Sequence, residues 1–294
     1  MISNFLNLIH DIGFLVLVTI KAVRLQGNDF KMSTTKNRAM VLGNGPSLQS
    51  DMQTILNRRM GADLYCVNSF ALTEFFNKLK PDFYVFADPM YWIDDINEDM
   101  KKNRRDTISV LLKVNWPTTV ICPMAGVSFL SDALSESKYI KIIGVNRNEC
   151  QFKLHSVQMF ALKYGLVTPN FINVVILALW WCIVKKIPDI ELYGADFSAH
   201  LELKLDQNTG VASSGTKHFY EDIKTNEMKK HHLKYTKAPP KRMHERFFQI
   251  WQSFYQIFLL SELCESKNLR LVNFSSNSNI DTINRPKSAI TDLN

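Results

Sequence analysis

Apolar positions in this chain follow two periods. Ala39-Met40-Val41-Leu42, Asp63 to Val67, Asp82 to Ala87, Thr118 to Cys122, Tyr139 to Ile143, Ile190 to Gly194 and Leu269 to Asn273 are short apolar runs that predict buried strands. Leu48 to Met60, Ala71 to Lys80, Phe171 to Lys186 and Met243 to Ser266 read as helices. FINVVILALWWCIVKK (171–186), entered through Thr168-Pro169-Asn170, is apolar on nearly every side and predicts a central buried helix. Its length of about 16 residues is short of the ~20 that span a bilayer. Strands alternating with helices predict an α/β fold, a mostly parallel sheet with helices on both faces. Ligands of such sheets bind at the C-terminal ends of the strands. Gly43-Asn44-Gly45, Asn68 and Asp88 all stand at such ends.

The first 26 residues form a separate pattern. Ile2, Phe5, Leu6, Ile9, Ile12, Val16 and Ile20 recur at helical spacing and predict an amphipathic helix. The apolar run from Ile12 to Val18 is too short to span, and no basic region of a secretory signal precedes it. Two readings stay open: a helix docked on its own domain, and a helix lying on the inner membrane, where Lys21 and Arg24 meet anionic headgroups. The predicted organisation is a helix and linker (1–36), a catalytic domain (37–278) and a polar tail (279–294). Within the domain, 199–242 loses apolar periodicity and carries Gly210, Ser213-Ser214-Gly215 and Pro239-Pro240. A loop of that length inside a domain predicts a lid.

Composition adds a cellular setting and a preference in ligands. The 294 residues, 46% hydrophobic and 21% charged, describe an ordinary globular chain with a net charge of +7. That balance favours anionic ligands, and the absence of RNP, zinc-finger or basic-zipper patterns argues against nucleic acid. Cys66, Cys122, Cys150, Cys182 and Cys264 are odd in number, contain no CxxC, and read as reduced thiols of a cytoplasmic protein, peripheral on the inner membrane if the first helix binds there.

The candidate chemistry begins at RAMVLGNGPSLQ (38–49). Two glycines permit close backbone approach, Pro46 suits a first helical turn, and the free N–H groups that follow predict a phosphate site. The bland alternative is a tight strand-to-helix turn without a ligand. His218, inside the lid, has the chemistry of a general base. His231, His232 and His244 lie among lysines and arginines that include Lys241, Arg242 and Arg246; they read as a solvated basic surface, or as a clamp on donor phosphate or an acidic acceptor. Asp88 and Asp196 follow strands and suit ribose hydroxyls, a base or a metal. No DxD pair is present, which favours a nucleoside monophosphate donor. The turn is neither a P-loop nor a full dinucleotide fingerprint.

The ordered set of motifs resembles bacterial sialyltransferases of glycosyltransferase family 42. VLGNGPSL (41–48), the strand ending in Asn68, FADPMYW (86–92), Thr168-Pro169-Asn170, IELYGADFS (190–198), Lys217-His218-Phe219-Tyr220 and Leu271 to Ser278 are collinear with that family's motifs. The resemblance implies a Rossmann-like, GT-A-like domain with an inserted lid, a CMP-sugar donor, a glycan or glycolipid acceptor in surface polysaccharide or lipooligosaccharide synthesis, and no obligatory metal or cofactor. It implies that Asn44, Gly45, Ser47, Asn68 and Asp88 hold the nucleotide, that Thr168, Asn277 and Ser278 complete the pocket, and that His218 is the base with Tyr220 beside it. Departures stand at Asp88, where the family has asparagine, at Leu166, where it has arginine, and at Ser198, where it has tyrosine. A homo-oligomer is compatible with this pattern. The competing readings are a magnesium-dependent diphosphokinase, similar to pterin enzymes with a like glycine-proline turn and using Asp88 and Asp196, and a non-catalytic nucleotide-binding assembly factor.

Overall fold

Successive side chains of a strand point to opposite faces of a sheet, and in this protein both faces are covered. The computed structural model describes residues 2–25, 36–149, 151–214 and 241–286. The elements run α1 (Ile2–Leu25), β1 (Arg38–Leu42), α2 (Leu48–Arg58), β2 (Asp63–Val67), α3 (Phe75–Leu79), β3 (Phe83–Val85), α4 (Glu98–Leu112), β4 (Thr118–Pro123), α5 (Met124–Ala133), β5 (Ile140–Val145), α6 (His155–Lys163), α7 (Val174–Val184), β6 (Asp189–Tyr193), β7 (Leu203–Leu205), β8 (Ala212–Ser214), α8 (Met243–Ser266) and β9 (Arg270–Asn273). Seven strands form one sheet in the order β5-β4-β3-β2-β1-β6-β9. Every pair in it is parallel. The chain winds outward from β1 to β5, then returns to the other side of β1 for β6 and β9. The fold is thus the expected α/β, Rossmann-like arrangement, with its switch point between β1 and β6.

The alternation within β1 decides the layers. Met40 and Leu42 face a core shared with α2, α3, α4 and α5. Ala39 and Val41 face the other core, shared with α6, α7 and α8. In α7 every residue from Val175 to Ile183 is buried, because the helix lies between β1–β3 and α8. Asn173 caps it by accepting the Val175 N–H at 2.9 Å. Cys66, Cys122, Cys182 and Cys264 are unpaired and buried, and burial pushes the Cys122 and Cys264 thiols up to about 12. They serve as small apolar side chains.

Helix α1 docks through its polar side. Asp11 has no solvent exposure, and its carboxylate accepts the N–H groups of Lys153 (3.1 Å) and Leu154 (2.7 Å) at the start of α6. Val18 joins the core below and Phe14 meets Phe152 edge-on. Leu6, Ile9, Ile12, Val16, Leu17 and Ile20 face outward, with Leu17 64% exposed. An amphipathic helix on a water-facing surface shows the reverse orientation. Among the described residues no helix is long and apolar enough to cross a membrane.

Several sequence-based boundaries move. The helix expected over 71–80 is a 3₁₀ turn at Asn68–Leu72 followed by the short α3. Helices α4, α5 and α6 lie in stretches where the apolar pattern predicts none. The stretch from Asn279 to Pro286 belongs to the fold and is not free tail: Ile280 and Ile283 are buried, and Asn284 O accepts the Asn273 N–H at 2.9 Å. The segment expected to be a lid contains the antiparallel β7–β8 pair. The rest of it, 215–240, lies outside the described residues.

Candidate active site at the β1–β6 switch point

The turn after β1 and the turn after β6 lock together. Gly43 N–H donates to Tyr193 O and Gly45 N–H to Gly194 O, both at 2.8 Å. A Cβ at Gly43 would stand 2.5 Å from Gly194 O, and one at Gly45 would stand 2.7 Å from both Gly194 O and Asp196 Cγ. Gly194 adopts φ +60°, and a Cβ there would meet Gly43 O and Leu48 Cβ at 2.8 Å. The glycines are therefore required by contact between two protein turns.

The N-terminus of α2 is also taken. Ser47 N–H donates to Asp196 Oδ2 at 2.9 Å, and the Ser47 hydroxyl donates to Asp196 Oδ1. A carboxylate so placed satisfies the helix end in the way a bound anion would. Asp51, one turn further on, accepts Ser276 N–H at 3.2 Å. Burial raises both carboxyls above their usual range; the Ser47 hydrogen bonds partly oppose this for Asp196, and the Asp196 charge adds to it for Asp51. Two acidic groups thus lie beneath the turn that carries Ser47.

The pair Asn44 and Asn68 is different. Asn44 is 8% exposed, and its Nδ2 donates to Val67 O at 3.1 Å, which fixes the amide and leaves Oδ1 buried without a partner. Asn68, at the end of the neighbouring strand β2, adopts φ +47°, and its Oδ1 is likewise buried and unpartnered. Asparagine tolerates that left-handed backbone better than most residues. The Tyr84 hydroxyl donates to Asn68 O and accepts the Ala71 N–H at 2.8 Å, holding the turn in place. Two acceptors at the ends of adjacent strands have no donor among the described residues.

Other expected site residues separate into bound and available. Asp88, half-buried at the end of β3, accepts Met90 N–H at 3.1 Å and caps a 3₁₀ turn. Between it and Asp196 lie three strand spacings, about 14 Å, so the two do not share one cation. Thr168 exchanges two hydrogen bonds with Asn148: Asn148 N–H donates to Thr168 Oγ1 (3.1 Å) and Thr168 N–H to Asn148 O (3.0 Å). The Ser278 hydroxyl donates to Ala195 O at 2.6 Å and accepts from Asn273 Nδ2 at 3.0 Å and Ile280 N–H at 3.2 Å. Thr168 and Ser278 thus each staple neighbouring segments of the chain together. Asn277, next to Ser278 in the chain, is exposed. His218 and Tyr220 lie outside the described residues. Sequence reasoning missed Asp51, Asn273 and Ser275, whose hydroxyl accepts Ala195 N–H at 2.9 Å. The matching Gly-Ala-Asp after β6 is the signal that the two turns face each other.

No protein-family model matches the chain, and no curated protein is similar to it. Among solved structures it is similar to the MAf glycosyltransferase from Magnetospirillum magneticum AMB-1, at 10% identity and a TM-score of 0.50. The match covers 88% of this chain and 35% of that one, so the chain spans about a third of its length. At that identity the likeness concerns the fold: a parallel α/β sheet of the kind that carries nucleotides at its C-terminal edge.

Proposed function

We propose that the chain is a glycosyltransferase that moves an acidic 2-keto sugar, of the sialic acid kind, from its CMP derivative to a hydroxyl of a surface glycan or glycolipid. The observation that carries this reading is the pair of buried, unpartnered acceptors Asn44 Oδ1 and Asn68 Oδ1 beside the switch point. Leaving each without a donor costs about 1–3 kcal/mol, which a ligand's hydroxyl or amine recovers. Ribose hydroxyls and the cytosine amine are such donors. In this reading Asp88 and Asn277 also contact the nucleotide. Similarity of fold to a glycosyltransferase and the collinear motifs support the choice of reaction.

In this mechanism His218 removes the proton of the acceptor hydroxyl, its oxygen bonds to the anomeric carbon, and the bond to the donor phosphate breaks with its electron pair leaving on CMP. In this reading the segment 199–242 serves as the lid that keeps water from the donor. The outer face of α1 rests on an anionic lipid surface in this reading. Its apolar residues face away from the domain, the chain carries +7, and Lys21 and Arg24 follow the apolar stretch.

The test is calorimetric titration with CMP, CDP, UDP, GDP and ATP. CMP is expected to bind most tightly, without added metal, and Asn44→Ala or Asn68→Ala to weaken it by about tenfold or more while the fold survives. Failure of every cytidine nucleotide to bind, or unchanged affinity in both variants, refutes the assignment.

A further inference from the structure

Arg246, in the first turn of α8, is 8% exposed, yet its Nε is buried without a hydrogen-bond partner. Among the described residues its Nη1 reaches Gln249 Oε1, at 3.4 Å. No carboxylate among the described residues pairs with the guanidinium. The adjacent Glu245 is exposed, and its carboxylate accepts Arg242 N–H at 2.7 Å. Burial penalises the charge of Arg246 and of the partly buried Lys241, the Arg246 charge adds to the penalty at Lys241, and the Glu245 carboxylate partly offsets it for both. A buried ion is ordinarily paired, because desolvation without a counter-charge is strongly unfavourable. Glu245 supplies a charge through space, but the buried Arg246 Nε–H has no acceptor among the described residues.

The position of this group matters. Helix α8 leads into β9, so it begins at the C-terminal end of the sheet, the end that carries Asn44 and Asn68. Phe254 of α8 packs edge-on against Phe197 and His200, which follow Asp196, at centroid distances of 5.6 and 5.8 Å. Lys241 O accepts the Ala212 N–H at 3.3 Å, tying the start of α8 to β8. The α2 N-terminus, the usual place for an anion in such a fold, is already occupied by Asp196.

We propose that Arg246 and Lys241 form a binding site for an oxyanion of the substrate, a phosphate or a carboxylate group. The planar guanidinium offers a fork that either group matches with two hydrogen bonds, and Lys241 adds a point charge. As a subsite for the donor phosphate or for the carboxylate of an acidic sugar, this rests on the transferase reading. Oxyanion binding itself does not.

The experiment uses the full chain with inorganic phosphate and with acetate as probes, and sodium chloride at matched ionic strength as control. Thermal melting and the Nε–H resonance of Arg246 are followed. Phosphate is expected to raise the melting temperature and to move the resonance saturably, while chloride does neither. Arg246→Gln should lose the phosphate response and, without ligand, melt no lower than the parent, because an uncompensated charge has gone. A response to phosphate alone assigns the site to the donor phosphate, and a response to acetate assigns it to a sugar carboxylate. An Arg246→Gln protein that responds like the parent, or a parent resonance unmoved by both anions, overturns the proposal. Asn68→Ala should keep the phosphate response; an intact response in a protein that binds no CMP fails the nucleotide reading alone.

Discussion

Replacing Asp11 by alanine should detach α1 without unfolding the sheet. The carboxylate accepts two backbone N–H groups, from Lys153 and Leu154, and His10 Nδ1 lies 3.1 Å away. Burial by itself raises the Asp11 carboxyl, but the hydrogen bonds from Leu154, His10 and Lys153 outweigh it and hold the group below its ordinary value. Each hydrogen bond to a charged group contributes about 1.5–3 kcal/mol. Only one helix covers the site, so water is near and the lower end applies. The pair then contributes about 3 kcal/mol, or roughly 150-fold in the opening equilibrium of α1. Hydrogen exchange at Leu154 is the direct assay: its amide should exchange faster by about that factor, while amides of β1 and α7 keep their protection. The pH dependence has a fixed sign. Because the folded value is depressed, the stabilisation is complete above the ordinary carboxylate range and is lost as pH falls through the folded value. Unchanged protection at Leu154 in Asp11→Ala would show that α1 is held by its apolar contacts alone.

Other expectations follow from the same geometry. Gly45→Ala should destabilise by about 1–3 kcal/mol, read as a lowered melting temperature, because its Cβ has no room beside Gly194 O and Asp196; an unchanged melt refutes the packing account. Asp51 and Asp196 have raised folded values, so their contribution to stability is full below the ordinary range and falls as pH rises through the raised values. Asp51→Asn should flatten that slope in melts taken from about pH 4 to 7, and a slope identical to the parent's refutes the pairing. Ile9→Glu with Val16→Glu should abolish sedimentation with anionic liposomes at low salt; a parent that does not sediment, or a variant that still does, removes lipid as the partner of α1. His218→Ala should lower turnover roughly 10²–10⁴-fold with little change in CMP affinity, and near-normal turnover excludes it as the base.

The sheet was legible because its signal is strong and local. Six of its strands carry runs such as Met40-Val41-Leu42 and Leu64-Tyr65-Cys66, buried on both sides, and the helical period of α8 is clean enough to place its ends at Met243 and Ser266. Helix α4 escaped because it is nearly all polar: only Arg104, Thr107 and Leu111 are buried, so no apolar stripe marks it. The orientation of α1 was not legible either. Its apolar periodicity is visible, but the periodicity does not say that Asp11 would turn inward to cap α6. The pocket was half legible. Asn44 and Asn68 follow from their places at strand ends, whereas the use of Ser47, Thr168 and Ser278 as internal staples depends on partners 20 to 149 residues away.

That last distinction changes how the glycine turn is understood. A Gly-Asn-Gly-Pro-Ser sequence between a strand and a helix invites a phosphate at the helix end, and the same sequence is required when a second turn, Gly194-Ala195-Asp196, must press against it. Both demands select glycine at 43 and 45, since a Cβ at either position would strike Gly194 O. They differ at Ser47, where a ligand site needs a free N–H and the packed junction does not. Here the N–H and the hydroxyl both go to Asp196. Recognition of an anionic substrate then requires positive charge from another element, and the buried guanidinium of Arg246 is a cation at that end of the sheet whose Nε–H has no acceptor among the described residues. The two inferences are therefore linked through Asp196. If Asp196→Asn transferred the phosphate response from Arg246 to the α2 N-terminus, the carboxylate would be the element that decides where the anion binds.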